Sequence, residues 1–268
     1  MFLVALTRWQ NPSPETLSAE VTALGPLLGR GAYELRLELS RPPPVVLLET
    51  TDVGLARSLL ASVRGRGHGA VACDAASVTS SESMLRPKTF VLGSEAVTLS
   101  RPGTPDRQAR YAELLALIVA THARQDETSE EVREKKLSLG RAALTGGLVR
   151  SKTSSVTRSA TTVETERVLY ALDRSGSGHA LFCETRLHYS GLGAAMKKSS
   201  SESFTALVAE LRARAPSARF DDRLLKSRTG SSLNLSRTSA SRTLSTSNAA
   251  DVDLAVHHLA VAFLQGQG

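Results

Sequence analysis

The chain has 268 residues, of which 41% are hydrophobic and 4% aromatic, so it can bury one or two cores built mainly from Leu, Val and Ala. No stretch of about 18 residues is apolar and free of charge, so no membrane span is predicted. The apolar run at the start of the sequence is short and ends at Arg8, which predicts a first strand rather than a secretion signal. Cys73 and Cys183 lie far apart without a nearby Cys/His cluster, so we expect reduced thiols, no metal and a cytoplasmic protein.

Signals for strands and helices divide residues 1–76 into six elements. Ser13 and Pro14 are typical of a helix start. Residues 33–39 carry mixed signals, because the apolar alternation favours a strand whereas the Glu-Leu-Arg-Leu-Glu run favours a helix. The remaining elements are predicted as strands at 2–9, 45–48 and 69–73 and as helices at 14–29 and 52–65. With a helix at 33–39 the order is βααβαβ.

This order, with its short second helix, proline-led strand and Arg-Gly-His-Gly-Ala helix end, resembles the C-terminal domain of the bacterial ribosomal stalk protein. It also resembles the related fold of the protease adaptor that reads N-degrons. The stalk domain uses a lysine-rich helical face, and residues 1–83 contain no lysine. The adaptor needs an acidic pocket after its first strand, where Asn11 and Glu15 are the only candidates. The resemblance therefore implies the fold and neither function.

A polar, Ser-rich stretch separates this module from a second one over residues 84–226. Strands are predicted at 89–92 and 96–99, a hairpin at 168–185, and a helix from Ser199 to Ala215 that Pro216 ends. The apolar residues 111–122 fit either a short helix leading into a strand or a buried strand. The charged residues 124–136 are typical of a solvated strand edge or a loop.

The layout of the second module resembles pleckstrin-homology-like domains, in which a small barrel-like sheet is closed by a helix. The phrases His-Tyr-Ser-Gly-Leu-Gly at 188–193 and Asp-Asp-Arg-Leu at 221–224 are also similar to a family of uncharacterised bacterial proteins. In that family a stalk-like domain precedes such a module. The resemblance implies an α+β fold with two domains and brings no activity with it.

The end of the chain divides into a low-complexity stretch and a helix. Residues 227–247 are rich in Ser, Thr and Arg, which predicts a disordered or loosely packed linker that could be phosphorylated. Residues 248–268 carry one apolar face, which predicts a C-terminal helix that docks on the second module or on a partner, and we favour docking within the chain. Residues 150–245 hold 16 basic and 8 acidic side chains, an excess of +8 that outweighs the rest of the chain, and the whole chain has a net charge of +7.

Few residues suggest chemistry. Residues 140–165 are predicted as a flexible Ser/Thr-rich hairpin, because the phosphate-loop pattern is absent. The six histidines lack metal spacing, and no nucleophile elbow occurs, so we assign no catalytic, cofactor-binding or metal-binding residue. His188 and the Asp221-Asp222 pair are interpreted as structural. Five basic residues are candidates for binding an anion: Lys135, Lys136, Arg150, Lys152 and Arg158.

These observations favour a non-catalytic, cytoplasmic protein-interaction or adaptor protein that binds another protein. One alternative is binding of anionic phosphate or a lipid headgroup through the basic loop at 150–158. A further alternative is an enzyme with a site that the sequence does not reveal. Nucleic acid is disfavoured as a partner, because aromatic residues are rarely interleaved with basic ones.

Overall fold

The computed structural model describes residues 1–136, 152–226, 232–237 and 241–268 of a mixed α+β protein. The fold class predicted from the sequence is therefore confirmed. The chain forms two compact units. The larger unit comprises Met1–His122, Glu166–Arg228 and Ala249–Gly268, and the smaller one comprises Ala123–Thr165 and Thr229–Asn248.

The larger unit begins with the predicted βααβαβ module, and residues 33–39 are helical in it. Strand β1 lies at the centre of a three-stranded sheet and runs antiparallel to both of its neighbours, in the order β2-β1-β3. The elements are β1 (Phe2–Arg8), α1 (Pro14–Leu28), α2 (Ala32–Leu39), β2 (Val45–Thr50), α3 (Val53–Gly65) and β3 (Gly69–Asp74).

Local signals explain where these helices begin and end. Ser13 caps α1 by accepting a hydrogen bond from the Thr16 amide at 3.1 Å, and Gly29 ends it in the left-handed region at φ 61°. Asp52 caps α3 through the amides of Gly54 and Leu55. The three helices and the sheet enclose one core, whose largest fully buried side chains are Leu6, Leu24, Leu35, Leu39, Leu47 and Leu59.

The second part of the larger unit contains a separate three-stranded antiparallel sheet and a longer mixed sheet. The small sheet consists of β4 (Thr89–Leu92), β5 (Ala96–Ser100) and β6 (Arg107–Arg110). The mixed sheet draws on β7 (Leu114–Lys136), β8 (Lys152–Asp173), β9 (Ala180–Cys183) and β10 (Arg219–Leu224). Two helices accompany them, α4 (Ser200–Arg214) and α5 (Ala249–Leu264).

Three predictions for this region are confirmed. Strands β8 and β9 form the predicted hairpin, with Val168 opposite Cys183. Ser199 caps α4, which ends before Pro216. A short 3₁₀ helix at Tyr111–Glu113 leads into β7, so the first of the two readings of residues 111–122 is the observed one.

Both faces of the mixed sheet are buried, because alternate residues of its central strands point to opposite sides. Leu169 and Phe182 belong to the core that contains the apolar face of α4, with Phe204, Leu207 and Leu211. The neighbouring Tyr170 and Leu181 belong to the core on the other face, with Val252, Ala255, Val256 and Leu259 of α5. The predicted C-terminal helix is thus part of the core of this unit.

The smaller unit corrects two predictions. The described residues of the predicted linker 227–247 form β11 (Ser232–Arg237) and β12 (Ser241–Ser247), which pair with each other. Strand β12 also pairs with β7 through Arg124–Glu130. The sequence Ser-Leu-Asn-Leu-Ser-Arg alternates polar and apolar residues, as a strand does, although its composition is that of a low-complexity segment.

The second correction concerns the basic loop predicted at 150–158, which lies within the predicted Ser/Thr-rich hairpin at 140–165. Residues 152–165 belong to strand β8, so the described part of this segment is strand rather than loop. Its many Thr and Val residues favour extended backbone. Residues 140–151 lie outside the described residues.

Candidate functional site

An open groove with a volume of about 770 Å³ lies on the βααβαβ module, and its lining is mainly apolar. It is formed by the segment that follows β1, the first turn of α1 and the segment that follows α2, and residues at the end of β10 complete its rim. We call it the Trp9 groove and define it by its apolar lining: Trp9, Pro12, Pro14, Leu17, Pro42 and Pro43.

Every charged side chain that lines the Trp9 groove is basic. These side chains are Arg8, Arg41, Arg223 and Lys226. Arg223 is held in place, because its guanidinium group pairs with Asp221 at 2.8 Å and donates to the Thr7 carbonyl at 2.7 Å. The other three form no ion pair with any residue in the described part of the chain. The rim therefore carries positive charge that the protein does not neutralise.

A buried polar network fixes the base of the groove. The edge of the His68 ring packs against Trp9, with centroids 4.8 Å apart and planes at 81°. The Gln10 amide donates to His68 Nδ1 at 3.3 Å, so the ring proton is carried by Nε2, which lies 3.2 Å from Glu20 Oε1. Glu20 in turn accepts two hydrogen bonds from the Arg66 guanidinium, at 2.5 and 2.8 Å.

Glu20 is only 4% exposed, so its charge needs compensation. Burial raises the pKa of Glu20, but the hydrogen bonds from Arg66 and the nearby His68 ring outweigh it and hold that pKa below its ordinary value. Glu20 is therefore ionised at neutral pH. The chain Arg66–Glu20–His68 thus positions the His68 ring against which Trp9 packs.

The lining of the groove suits binding better than acid–base chemistry. It contains no His, Cys, Asp or Glu side chain among the residues that the structure describes. Ser13 and Thr16 contribute hydroxyl groups, but these lie 3.1 Å from each other, and Ser13 is already the helix cap. What the groove offers a ligand is flat apolar surface from one Trp ring and several Pro rings, surrounded by cations.

The five candidate anion-binding residues cannot be placed in a site. Arg150 lies outside the described residues. Lys135 and Lys136 fall at the end of β7, and Lys152 and Arg158 fall in β8, but their side chains are likewise outside the described part. Their role in binding an anion stays a prediction.

The other titratable residues that the sequence raised have structural surroundings. His188 is exposed, and its amide donates to the Lys88 carbonyl. Asp221 is buried against Arg223, whereas Asp222 is exposed. Within the described residues, no group of three or more His, Cys, Asp or Glu side chains could hold a metal ion.

A buried polar cluster links β8 to α5. The Tyr170 hydroxyl donates to Asp253 Oδ1 at 2.7 Å and lies 2.7 Å from His122 Nε2, and the Ser81 amide donates to Asp253 Oδ2 at 2.8 Å. Burial, with Asp253 nearby, raises the pKa of Tyr170 above its ordinary value. Burial lowers the pKa of His122. Because the cluster lines neither pocket, we interpret it as a connection between elements.

Sequence reasoning did not identify the groove. It correctly interpreted Ser13 and Pro14 as a helix start, but it did not connect that segment with Leu39–Pro43 or with Arg223. One signal was present: the only tryptophan of a chain with few aromatic residues precedes two prolines, and a second proline cluster follows at 42–44.

Comparison of the chain with protein-family models, with curated proteins and with solved structures finds no match. Among the helices that the structure describes, none is both long enough and apolar enough to cross a bilayer.

Proposed function

We propose that this protein is a non-catalytic interaction protein, and that the Trp9 groove binds a peptide segment of a partner protein in which an apolar side chain is flanked by carboxylates. The observation that carries this proposal is the composition of the groove, whose floor is apolar and whose charged rim is entirely basic. A volume of about 770 Å³ is that of a site for a few side chains.

The apolar floor supplies the affinity in this proposal. Trp9 is half-buried, so part of its ring is already packed and part faces the groove. Tryptophan and arginine are the residues that most often dominate binding energy at protein interfaces. Because His68 holds the ring from behind, little side-chain entropy is lost when a partner covers it.

The basic rim supplies the selectivity. Arg8, Arg41 and Lys226 line the groove and form no ion pair in the described part of the chain. Acidic side chains next to the apolar anchor of a partner would complement this charge, speed association and disfavour basic segments. The proposed setting is the cytoplasm, since both cysteines are free and buried.

The test is a selection of peptides from a random displayed library against the full chain, followed by titration of the enriched peptides. Trp9 is the only tryptophan, so its fluorescence reports occupation of the groove directly. We expect enriched peptides to combine an aromatic or aliphatic residue with Asp or Glu. Arg8→Glu with Arg41→Glu should weaken their binding about tenfold or more, because two attractive contacts become repulsive.

The matched control is Arg57→Glu combined with Lys198→Glu, which reverses two exposed charges outside the groove lining and so changes the net charge as much as the rim variant does. This variant should bind the enriched peptides as the unmodified chain does. Enrichment of peptides without acidic residues would overturn the proposal. So would binding that leaves the fluorescence of Trp9 unchanged, or that the rim variant and the control weaken equally.

A further inference from the structure

A second pocket, with a volume of about 750 Å³, lies in the larger unit and shares no lining residue with the Trp9 groove. Three elements meet there. Arg174 lies directly after β8, Arg212 lies in the last turn of α4, and Arg219 begins β10. We call it the arginine pocket and define it by these three residues together with Phe220, Leu115 and Phe263.

The three arginines are the only ionisable residues in the lining, and none of them has a counter-charge within the described part of the chain. No described carboxylate lies within the 4.0 Å of an ion pair from any of their guanidinium groups. Other arginines of the same unit are paired: Arg66 with Glu20, Arg167 with Glu184, Arg214 with Glu210. Three uncompensated cations around one cavity repel each other, and an anion would relieve that repulsion.

Packing prepares the pocket for a ligand. The Arg212 guanidinium carbon lies 4.5 Å from the centroid of the Phe220 ring, which restricts its motion and leaves its N–H edges free to donate. The Arg174 amide donates to the Glu113 carbonyl, which fixes the start of that turn. Arg219 pairs with Ala116 of β7 through the parallel ladder. The backbone around all three arginines is thus set by regular structure or by a neighbouring strand.

We infer that the arginine pocket binds the phosphate monoester of a small organic molecule. Arginine donates two parallel hydrogen bonds to phosphate oxygens, and three guanidinium groups match the charge of a dianion. Leu115 and Phe263 provide an apolar wall for the organic part. A volume of about 750 Å³ leaves room for an organic part beside the phosphate group.

The experiment is isothermal titration calorimetry of the full chain with three probes: phenyl phosphate, inorganic phosphate and benzoate. Phenyl phosphate should bind most tightly, because it fills both the charged and the apolar part. Inorganic phosphate should bind more weakly, and benzoate, with one negative charge, more weakly again. Binding should weaken as salt is raised, since the pocket is open to solvent.

Variants separate the pocket from general basic character. Arg212→Gln and Arg219→Gln should each lower the affinity for phenyl phosphate about tenfold or more, since each removes a charge-assisted hydrogen bond. Arg212→Lys keeps the charge but loses the planar fork and its stacking on Phe220, so it should also bind more weakly. Arg57→Gln removes an exposed arginine outside the pocket and should leave the affinity unchanged.

Several outcomes would overturn the inference. Failure of phenyl phosphate to bind at millimolar concentration would do so, and equal affinity for benzoate would overturn the assignment to phosphate. An equal loss of affinity for phenyl phosphate in Arg57→Gln and Arg212→Gln would mean that binding depends only on the net charge of the protein. The three arginines are exposed, so unchanged circular dichroism of the variants is expected and excludes unfolding as the cause of a loss.

Discussion

His258 should make the protein lose stability on mild acidification. It lies on α5 and is 1% exposed, and its Nε2 atom has no hydrogen-bond partner among the described residues. Burial, with His257 beside it, lowers the pKa of His258 from 6.5 to about 4. The unfolded chain therefore binds a proton at this residue more readily than the folded protein. The stabilising contribution is complete above pH 6.5 and is lost as the pH falls toward 4.

The size of this contribution follows from the two pKa values. A difference of one pKa unit corresponds to about 1.4 kcal/mol, so a fall from 6.5 to about 4 corresponds to about 3 kcal/mol. This is a large fraction of the ~5–15 kcal/mol by which typical proteins are stable. The value needs little correction for solvent screening, because the ring is almost completely buried.

The assay is urea denaturation of the unmodified chain and of His258→Leu, at several pH values between 7 and 4 and at constant ionic strength. Leucine fills a similar volume, cannot take up a proton and suits the apolar neighbours on α5. The difference in free energy of unfolding between the two proteins at pH 7 serves as the reference, because it already includes any change in packing caused by the leucine. Between pH 7 and pH 4 the unmodified chain should lose about 3 kcal/mol more than the variant.

Burial also lowers the pKa of His122 and His179, but these residues titrate in both proteins and cancel in the comparison. His257 lies beside His258 and contributes to its lowered pKa, so the measured difference includes the interaction between these two rings. Equal losses of stability in the unmodified chain and the variant would refute the reasoning. A larger loss in the variant would do the same, because it would mean that protonated His258 is stabilised in the folded state.

Three further predictions test the packing of the larger unit. Burial raises the pKa of both Cys73 and Cys183 to about 11, so a thiol reagent at pH 8 should modify them about 100-fold more slowly in the native protein than in urea. Fast labelling of the native protein would contradict this burial. Arg167→Lys should lower the free energy of unfolding by about 2 kcal/mol in chemical denaturation, because lysine cannot reproduce the two hydrogen bonds of 2.8 and 3.2 Å to Glu184. An unchanged denaturation midpoint would show that this ion pair does not stabilise the fold. Gly191→Ala should cost about 2 kcal/mol or more in thermal unfolding, because the new Cβ atom would lie 2.0 Å from the main-chain oxygen of Phe90 in β4. An unchanged unfolding temperature would mean that β4 moves aside easily.

Elements with strong local signals could be predicted from the sequence. The βααβαβ order followed from helix caps such as Ser13 and Asp52 and from short apolar runs, and the helix ending before Pro216 followed in the same way. Residues 33–39 could not be decided by pattern alone. They form a helix because Leu35 and Leu39, four residues apart, are both buried in the core of the module.

Composition misled the interpretation of residues 227–247. Ser, Thr and Arg are typical of disordered segments, yet pairing between β11 and β12 and with β7 satisfies the backbone of the described residues. The pairing of β12 with β7 joins residues more than 100 positions apart, as between Ser245 and Asp126, and no local pattern contains that information. The likeness to pleckstrin-homology domains stays a prediction.

The Trp9 groove and the arginine pocket could not be predicted from the sequence for a related reason, since each is lined by residues from separate segments of the chain. The sequence did locate a basic excess at 150–245, and the structure divides it into two kinds of arginine. Arg167, Arg214 and Arg223 form ion pairs and join elements of the fold. Arg174 and Arg212 have no counter-charge among the described residues and line a cavity. A charge count cannot distinguish the two kinds, because the distinction depends on which carboxylates lie nearby.

The absence of shared lining residues makes the two proposed sites independently testable. A peptide in the Trp9 groove changes the fluorescence of the only tryptophan, whereas phenyl phosphate in the arginine pocket should not, since Trp9 does not line that pocket. Binding at both sites that responds only to ionic strength would point to long-range attraction by a chain of net charge +7. Each variant, Arg41→Glu or Arg212→Gln, lowers the positive charge of the same unit. If Arg41→Glu weakens only peptide binding and Arg212→Gln weakens only phenyl phosphate binding, the two ligands must therefore bind at two separate sites.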